Sequence, residues 1–139
     1  MAKFSVHEDY TASAADVWRK ISVFGGLAGW MPGVKSCEVK GTGIGAVRTL
    51  QMGPMKVVER LEAFDPDGRS LSYALLEGPM PLRNFLGTIQ VTETKPSGCR
   101  VEWSAAFDLP EGVSEKQIAP GLQAGYGGGL KALKQLVDR

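Results

Sequence analysis

Few side chains in this sequence have the chemistry to act on a small molecule, and the most informative of them fall in two neighbouring strand-like stretches. Met55 to Ala63 alternates, and its apolar parity, Met55, Val57, Leu61 and Ala63, carries Glu59 with it, while Lys56 and Arg60 take the other side. The stretch before it, Ala46 to Met52, ends at Gly53-Pro54, a turn dipeptide. A hairpin loop of even length there sets Met52 against Met55, Leu50 against Val57 and Arg48 against Glu59. An arginine and a glutamate are therefore expected opposite each other on the core side of a sheet.

Such a pair has two uses. An unpaired buried charge is costly, so the two can simply neutralise each other. Alternatively they meet the polar end of a ligand, or do acid–base work with Glu59 as general base or acid and Arg48 or Tyr73 polarising a carbonyl. A directly opposed arginine is expected to lower the glutamate pKa. That makes Glu59 a weaker base near neutral pH and favours binding over catalysis. Tyr73, one register step from Glu59 across the next hairpin, either hydrogen-bonds Glu59 or a ligand, or packs as a core aromatic.

Other chemistries find no residues to carry them. The only histidine, His7, sits on the first strand, so neither a metal ligand set nor a Ser-His-Asp or Cys-His grouping can be assembled. The segment Gly41-Thr42-Gly43-Ile44-Gly45 leads into a strand, whereas phosphate binding needs a helix N-terminus. Cys37 and Cys99 read as two reduced, partly buried thiols. Sixteen Lys and Arg against fifteen Asp and Glu leave a formal charge of +1 with no basic stripe, so no nucleic-acid partner is expected. No cofactor is expected either. With no signal-peptide core and no transmembrane run, the reading is a cytoplasmic protein without integral membrane association.

The elements that must position Arg48 and Glu59 follow from turn chemistry. The 139 residues, 43% hydrophobic, suit one globular domain over the whole chain, burying roughly two-thirds of its unfolded surface. Lys3 to Asp9 reads as a strand. Ser13 then caps a short helix through Val17, Trp18, Ile21 and Phe24 that Gly25-Gly26 ends, and a second helical piece around Leu27 to Trp30 stops before Pro32-Gly33. Strands follow near Lys35 to Lys40, Ala46 to Met52, Met55 to Phe64, Ser70 to Glu77, Asn84 to Thr94 and Cys99 to Phe107. They are separated by Gly/Pro/Asp turns, the last of them Lys95-Pro96-Ser97-Gly98. Ser114 to Arg139 reads as one long helix with a capping-box start, an apolar face through Ile118, Leu122, Gly125, Gly129 and Leu133, an internal Pro120 and the run Gly127-Gly128-Gly129. Its glycines leave volume on the inward face, either filled by strand side chains or left as a cavity. Strands in sequence on short turns imply an antiparallel meander burying one face against that helix, an α+β domain.

The order Asp16-Val17-Trp18, Trp30-Met31-Pro32-Gly33-Val34, Gly43-Ile44-Gly45-Ala46-Val47-Arg48, Glu59-Arg60-Leu61, Tyr73, Val101-Glu102-Trp103 and a closing amphipathic helix resembles the START-like SRPBCC superfamily, in its bacterial polyketide cyclase/dehydrase and lipid-transport branch. The resemblance covers nearly the whole chain. It implies a helix-grip fold, with a curved antiparallel sheet of about seven strands around the C-terminal helix and two short helices after the first strand. It also implies a deep hydrophobic cavity between sheet and helix for a lipid- or polyketide-like molecule. The expected lining is Trp30, Met31, Leu50, Met52, Tyr73, Leu75, Trp103, Phe107, Leu122 and Tyr126, with Arg48 and Glu59 at the polar end. Each of those aromatics also has a plain core-packing reading, and Met31, Met52 and Met55 are either flexible lining or gap fillers. The expected partner is a small hydrophobic ligand, the expected oligomeric state a monomer or weak homodimer, and the second functional reading a cyclase/dehydratase.

Overall fold

Gly53 takes a positive φ of 63° at the first position of a tight hairpin turn, with Pro54 second, and this fixes the register of the strands it joins. Those strands are β3 (Val47–Met52) and β4 (Met55–Asp65). In the computed structural model, which describes residues 2–94 and 97–138, Met52 pairs with Met55, Leu50 with Val57 and Arg48 with Glu59. Lys95 and Pro96 of the expected last turn, and Arg139 at the expected helix end, lie outside the described residues. The remaining strands are β1 (Ala2–Tyr10), β2 (Val34–Lys40), β5 (Ser70–Glu77), β6 (Arg83–Glu93) and β7 (Cys99–Asp108). All seven form one antiparallel sheet in the order β1-β7-β6-β5-β4-β3-β2.

Alternation along β7 shows how the sheet chooses its core face: Cys99, Val101, Trp103, Ala105 and Phe107 are buried while Arg100 and Glu102 are exposed. Two irregularities break that rule on β4. Leu61 pairs with Tyr73, but Ala63 pairs with Ser72 and Phe64 with Leu71, so the extra residue Glu62 shifts the parity. Ala63, expected to point inward, is exposed, and Phe64 pairs with the buried Leu71 and sets its ring 5.6 Å from Trp18 while staying 37% exposed. A second shift between Val58 and Glu59 leaves Leu76 outside the pairing and 47% exposed.

The short elements differ from expectation at one point. Helix α1 (Ala14–Ile21) starts where Ser13 Oγ accepts the Asp16 amide at 3.1 Å, but it ends at Ile21. Gly25 and Gly26, expected to stop it, lie inside a 3-10 segment, Phe24–Gly29, in place of the expected piece at Leu27 to Trp30. Gly25 there lies close under Val39 of β2, where a Cβ would fall 2.9 Å from Val39 Cγ2. Helix α2 (Glu115–Val137) opens with the Ser114 amide donating to Gln117 Oε1 at 2.9 Å and carries Pro120 inside it. Among the described residues no helix is long and apolar enough to cross a membrane. Cys37 and Cys99 are both free thiols.

Helix α2 rests on β1 and β7. Tyr10 donates its hydroxyl to the Leu130 carbonyl at 2.6 Å, and Phe4 packs on Tyr126 at 5.3 Å. Beyond the helix, Asp138 accepts the amides of Thr11 at 3.0 Å and Ala12 at 2.9 Å, while Lys134 donates to the Asp9 carbonyl. Burial alone would raise the Asp138 pKa, yet those amides and Lys134 hold it below the ordinary carboxylate range. Asp138→Ala is therefore expected to cost about 1 to 2 kcal/mol at neutral pH in urea melts. A lowered folded pKa stabilises above the unfolded value and is lost as pH falls through it, so the gap between the two proteins should close below about pH 4. A gap that is absent at pH 7 would show that this clasp contributes nothing.

Candidate functional site

Because α2 leans on β1 and β7, the flank of the sheet formed by β3, β4 and β5 stands away from it, and the space between is a cavity of about 300 Å³. Its wall is built from alternate residues of those strands: Arg48, Leu50 and Met52, then Met55, Val57 and Glu59, then Tyr73 and Leu75. Leu122 and Tyr126 face them from the helix, and Trp103 reaches in from β7. The turn at Gly53-Pro54, the loop after β5 and the start of α2 all lie at one end of the antiparallel sheet. The exposed lining residues Met55, Pro79, Gly121 and Gly125 sit there and form its mouth.

Arg48 and Glu59 lie at the inner wall, only 4% and 8% exposed. Arg48 Nε and Nη2 both reach Glu59 Oε1 at 2.8 Å, and Nη1 donates to the Phe24 carbonyl at 3.1 Å, which ties the 3-10 segment to the sheet. The guanidinium carbon also lies 4.2 Å from the Phe24 ring centroid and 5.2 Å from that of Tyr73, a favourable place for a desolvated cation. The pair that the hairpin register predicts is therefore present and buried. Its electrostatics correct one expectation. Burial pushes the Glu59 pKa up, and Arg48, which pulls it down, does not reverse the shift.

Tyr73 does not bond Glu59. Its hydroxyl receives the Trp103 indole N–H at 3.0 Å and lies 2.5 Å from the Tyr126 hydroxyl. Gly87, directly opposite on β6, makes that position available: a Cβ there would fall 2.3 Å from the Tyr73 ring. Trp103 in turn lies flat on Tyr126, centroids 4.0 Å apart at 13°. Burial raises the pKa of both tyrosines, so their hydroxyls stay protonated at neutral pH.

Of the expected site residues, Met31, Arg48, Leu50, Met52, Glu59, Tyr73, Leu75, Trp103, Leu122 and Tyr126 are brought to this one space. Trp30 and Phe107 are not. Trp30 packs behind Trp103 at 5.8 Å, and Phe107 stacks on Phe85, which faces the cavity in its place. The expectation omitted Leu27, Val34, Val57, Pro79, Met80, Phe85, Gly121 and Gly125. Parity alone would have found Val57, and the alternation Phe85, Gly87, Ile89, Val91 would have found Phe85.

A curved antiparallel sheet closed on a long C-terminal helix, with an apolar space between them, defines a helix-grip protein. The chain belongs to the family described as polyketide cyclase/dehydrase and lipid transport, whose sequence model matches residues 1–138. A search of curated proteins finds none that matches it. Among solved structures it is similar to the protein XoxI from Bacillus cereus, at 33% identity over 99% of this chain and 96% of that one, with a TM-score of 0.90. An uncharacterized protein from Bacillus thuringiensis is likewise 33% identical over 98% of both chains, TM-score 0.90. A protein from Thermobifida fusca is 29% identical over 99% of this chain and 93% of that one, TM-score 0.83.

Arg48→Met strands the Glu59 carboxylate in a buried wall and is expected to cost about 3 to 5 kcal/mol at pH 7. A carboxyl whose folded pKa is raised is stabilising below its unfolded value and loses that advantage as pH rises. Without Arg48 the shift grows, so lowering the pH should narrow the gap to wild type. Adding Glu59→Leu should recover much of the loss. A single variant as stable as wild type at pH 7 would mean the pair is not buried.

Proposed function

We propose that this chain binds a small hydrophobic or amphipathic molecule, of lipid or polyketide kind, in the cavity between sheet and α2. One observation carries the proposal: apart from Arg48, Glu59 and the Tyr73–Tyr126 hydroxyls, the lining is hydrocarbon, thioether, indole and glycine. Such an apolar space with a few convergent polar groups is the usual form of a small-molecule site, and about 300 Å³ falls at the lower end of the range of roughly 300–1,000 Å³. At ~30 Å³ per water-sized group, it suits a body of about ten non-hydrogen atoms. The family description, which names lipid transport, supports the same reading.

A cyclase/dehydratase reading has one observation in its favour, the raised Glu59 pKa, which suits a general base or acid better than an ordinary carboxylate does. Two others weigh against it. Two Arg48 hydrogen bonds fall on Glu59 and a third on the Phe24 carbonyl, and the Tyr73 hydroxyl is held by Tyr126 and Trp103, so both groups are already committed to neighbours within the wall.

Native mass spectrometry of freshly purified protein should show a co-purified small molecule. Returned to stripped protein, that molecule should be recovered at its original mass; recovery with the mass of a water lost would favour the enzymatic reading. The absence of both a bound mass and uptake of any apolar probe would overturn the proposal.

The helix glycines supply a second test. A Cβ on Gly125 meets nothing within 4 Å, whereas one on Gly129 would fall 2.4 Å from Met31 Sδ and 3.2 Å from Trp103. Gly125→Leu should gain about 0.5–1 kcal/mol of helix propensity while blocking uptake of a neutral fluorophore. Gly129→Leu should instead destabilise by about 1–3 kcal/mol through overpacking. Unchanged uptake by folded Gly125→Leu would place the ligand elsewhere.

A further inference from the structure

The polar groups of the cavity have a definite hydrogen-bonding remainder. Both Arg48 contacts to the carboxylate fall on Glu59 Oε1, and Oε2 takes no hydrogen bond from the described residues. No buried side-chain nitrogen or oxygen among those residues lacks a partner, so an oxygen without one is not sealed in. Glu59 lines the cavity and is 8% exposed, so the accessible surface left to Oε2 is assigned to that space. One strong acceptor is therefore spare.

The tyrosine pair leaves a donor. Trp103 N–H, Tyr73 O–H and Tyr126 O–H supply three protons. The indole proton goes to Tyr73, and one hydroxyl proton lies between the two tyrosines, whichever donates. One hydroxyl proton is left, on a residue that lines the cavity. Net charge completes the picture. Arg48 and Glu59 cancel, the tyrosines are neutral, and among the described residues no other ionisable side chain lines the space. Three of the five Arg48 N–H groups go to Glu59 and the Phe24 carbonyl; the other two add donors, but with Glu59 cancelling its charge Arg48 offers no uncompensated positive charge to an anion.

We infer that the site selects an uncharged amphiphile whose polar end is a hydroxyl, such as an alcohol, phenol or enol, and discriminates against a carboxylate on the same skeleton. This rests on the proposed binding of an apolar molecule in this cavity and specifies its polar end. A hydroxyl carries both a proton for Glu59 Oε2 and lone pairs for the spare tyrosine proton, so it matches both remainders in kind. An ether accepts but leaves Oε2 unpaired in a desolvated wall. A carboxylate does the same and adds a second negative charge beside it.

The test uses wild-type protein and three probes of nearly equal size: 1-decanol, its isomer 1-methoxynonane, and decanoate, each displacing naphthalene, a neutral fluorophore of the size the cavity suits, at pH 7.5. Decanol is expected to bind about 10- to 100-fold more tightly than either of the others, the range of one good hydrogen bond to a charged acceptor. Glu59→Gln, in which Arg48 holds the amide oxygen and an N–H donor replaces the Oε2 acceptor, should shrink the preference for decanol over 1-methoxynonane. Equal binding of all three, or tightest binding by decanoate, would overturn the inference and leave the apolar-cavity reading standing. If the fluorophore itself does not enter, and Gly125→Leu changes nothing, both fail together.

Discussion

Trp103 lies flat on Tyr126, ring centroids 4.0 Å apart, and this stack divides the interior between the sheet and α2 into a filled part and an empty part. On one side the helix is tied down. Leu130 and Leu133 are fully buried, Tyr10 bonds the helix backbone, and Gly129 admits Met31 and Trp103 to its Cα. On the other side the helix presents Gly121, Leu122 and Gly125 to strands that it does not reach. The stack holds because three rings fix one another: Gly87 makes room for the Tyr73 ring, Tyr73 accepts the Trp103 N–H, and Tyr126 closes the triangle. Each hydroxyl that this arrangement buries has a partner, as a buried polar group requires.

The buried ion pair plays a different part. Taking Arg48 and Glu59 out of water costs several kcal/mol per charge, and apolar residues of the same volume would often serve stability equally well. What those residues would not supply is the tie from β3 and β4 to the 3-10 segment through the Phe24 carbonyl, or an acceptor facing the cavity. The shift in Glu59 pKa follows from the same burial. By itself it marks a desolvated carboxylate, and such groups occur in structural pairs as well as in active sites.

How far the sequence reveals all this depends on the range of the interaction. The Arg48–Glu59 pairing is legible because a two-residue turn and strict alternation determine it within a dozen residues. The parity of Ala63 is not, since the bulge at Glu62 answers to Phe64 reaching Trp18 and leaves no mark in the local pattern. Gly25-Gly26 reads as a helix stop because glycine usually is one; its approach to Val39, on another element, is visible only in three dimensions. The Trp103–Tyr73–Tyr126 network joins residues 30 and 53 positions apart, and each alone reads as core. Its only local signal is Gly87, a glycine in the middle of an otherwise apolar strand face, which marks a close approach without naming the partner. Trp30 and Phe107 show the reverse error: they are buried aromatics of the right face, one layer too deep to touch the space.

The glycines of α2 then separate packing from emptiness. Gly129 is required, because any side chain there would collide with Met31 and Trp103. Gly121 and Gly125 are not required by any neighbour, and each forgoes about 1 kcal/mol of helix propensity relative to alanine. Gly127 and Gly128 also meet open space and lie outside the lining; the structure gives no packing reason for them. At the two lining positions the absence of a side chain has one structural consequence, a wider mouth. A dry void of about 300 Å³ would cost on the order of 7 kcal/mol at the rate found for core cavities, comparable with the whole stability of a small domain. A fold can keep so large a space only where something fills it, water through the mouth in the free protein or an apolar body in the occupied one. Water gains little from a wall of methionine, leucine and indole, which is the physical ground for the binding proposed above.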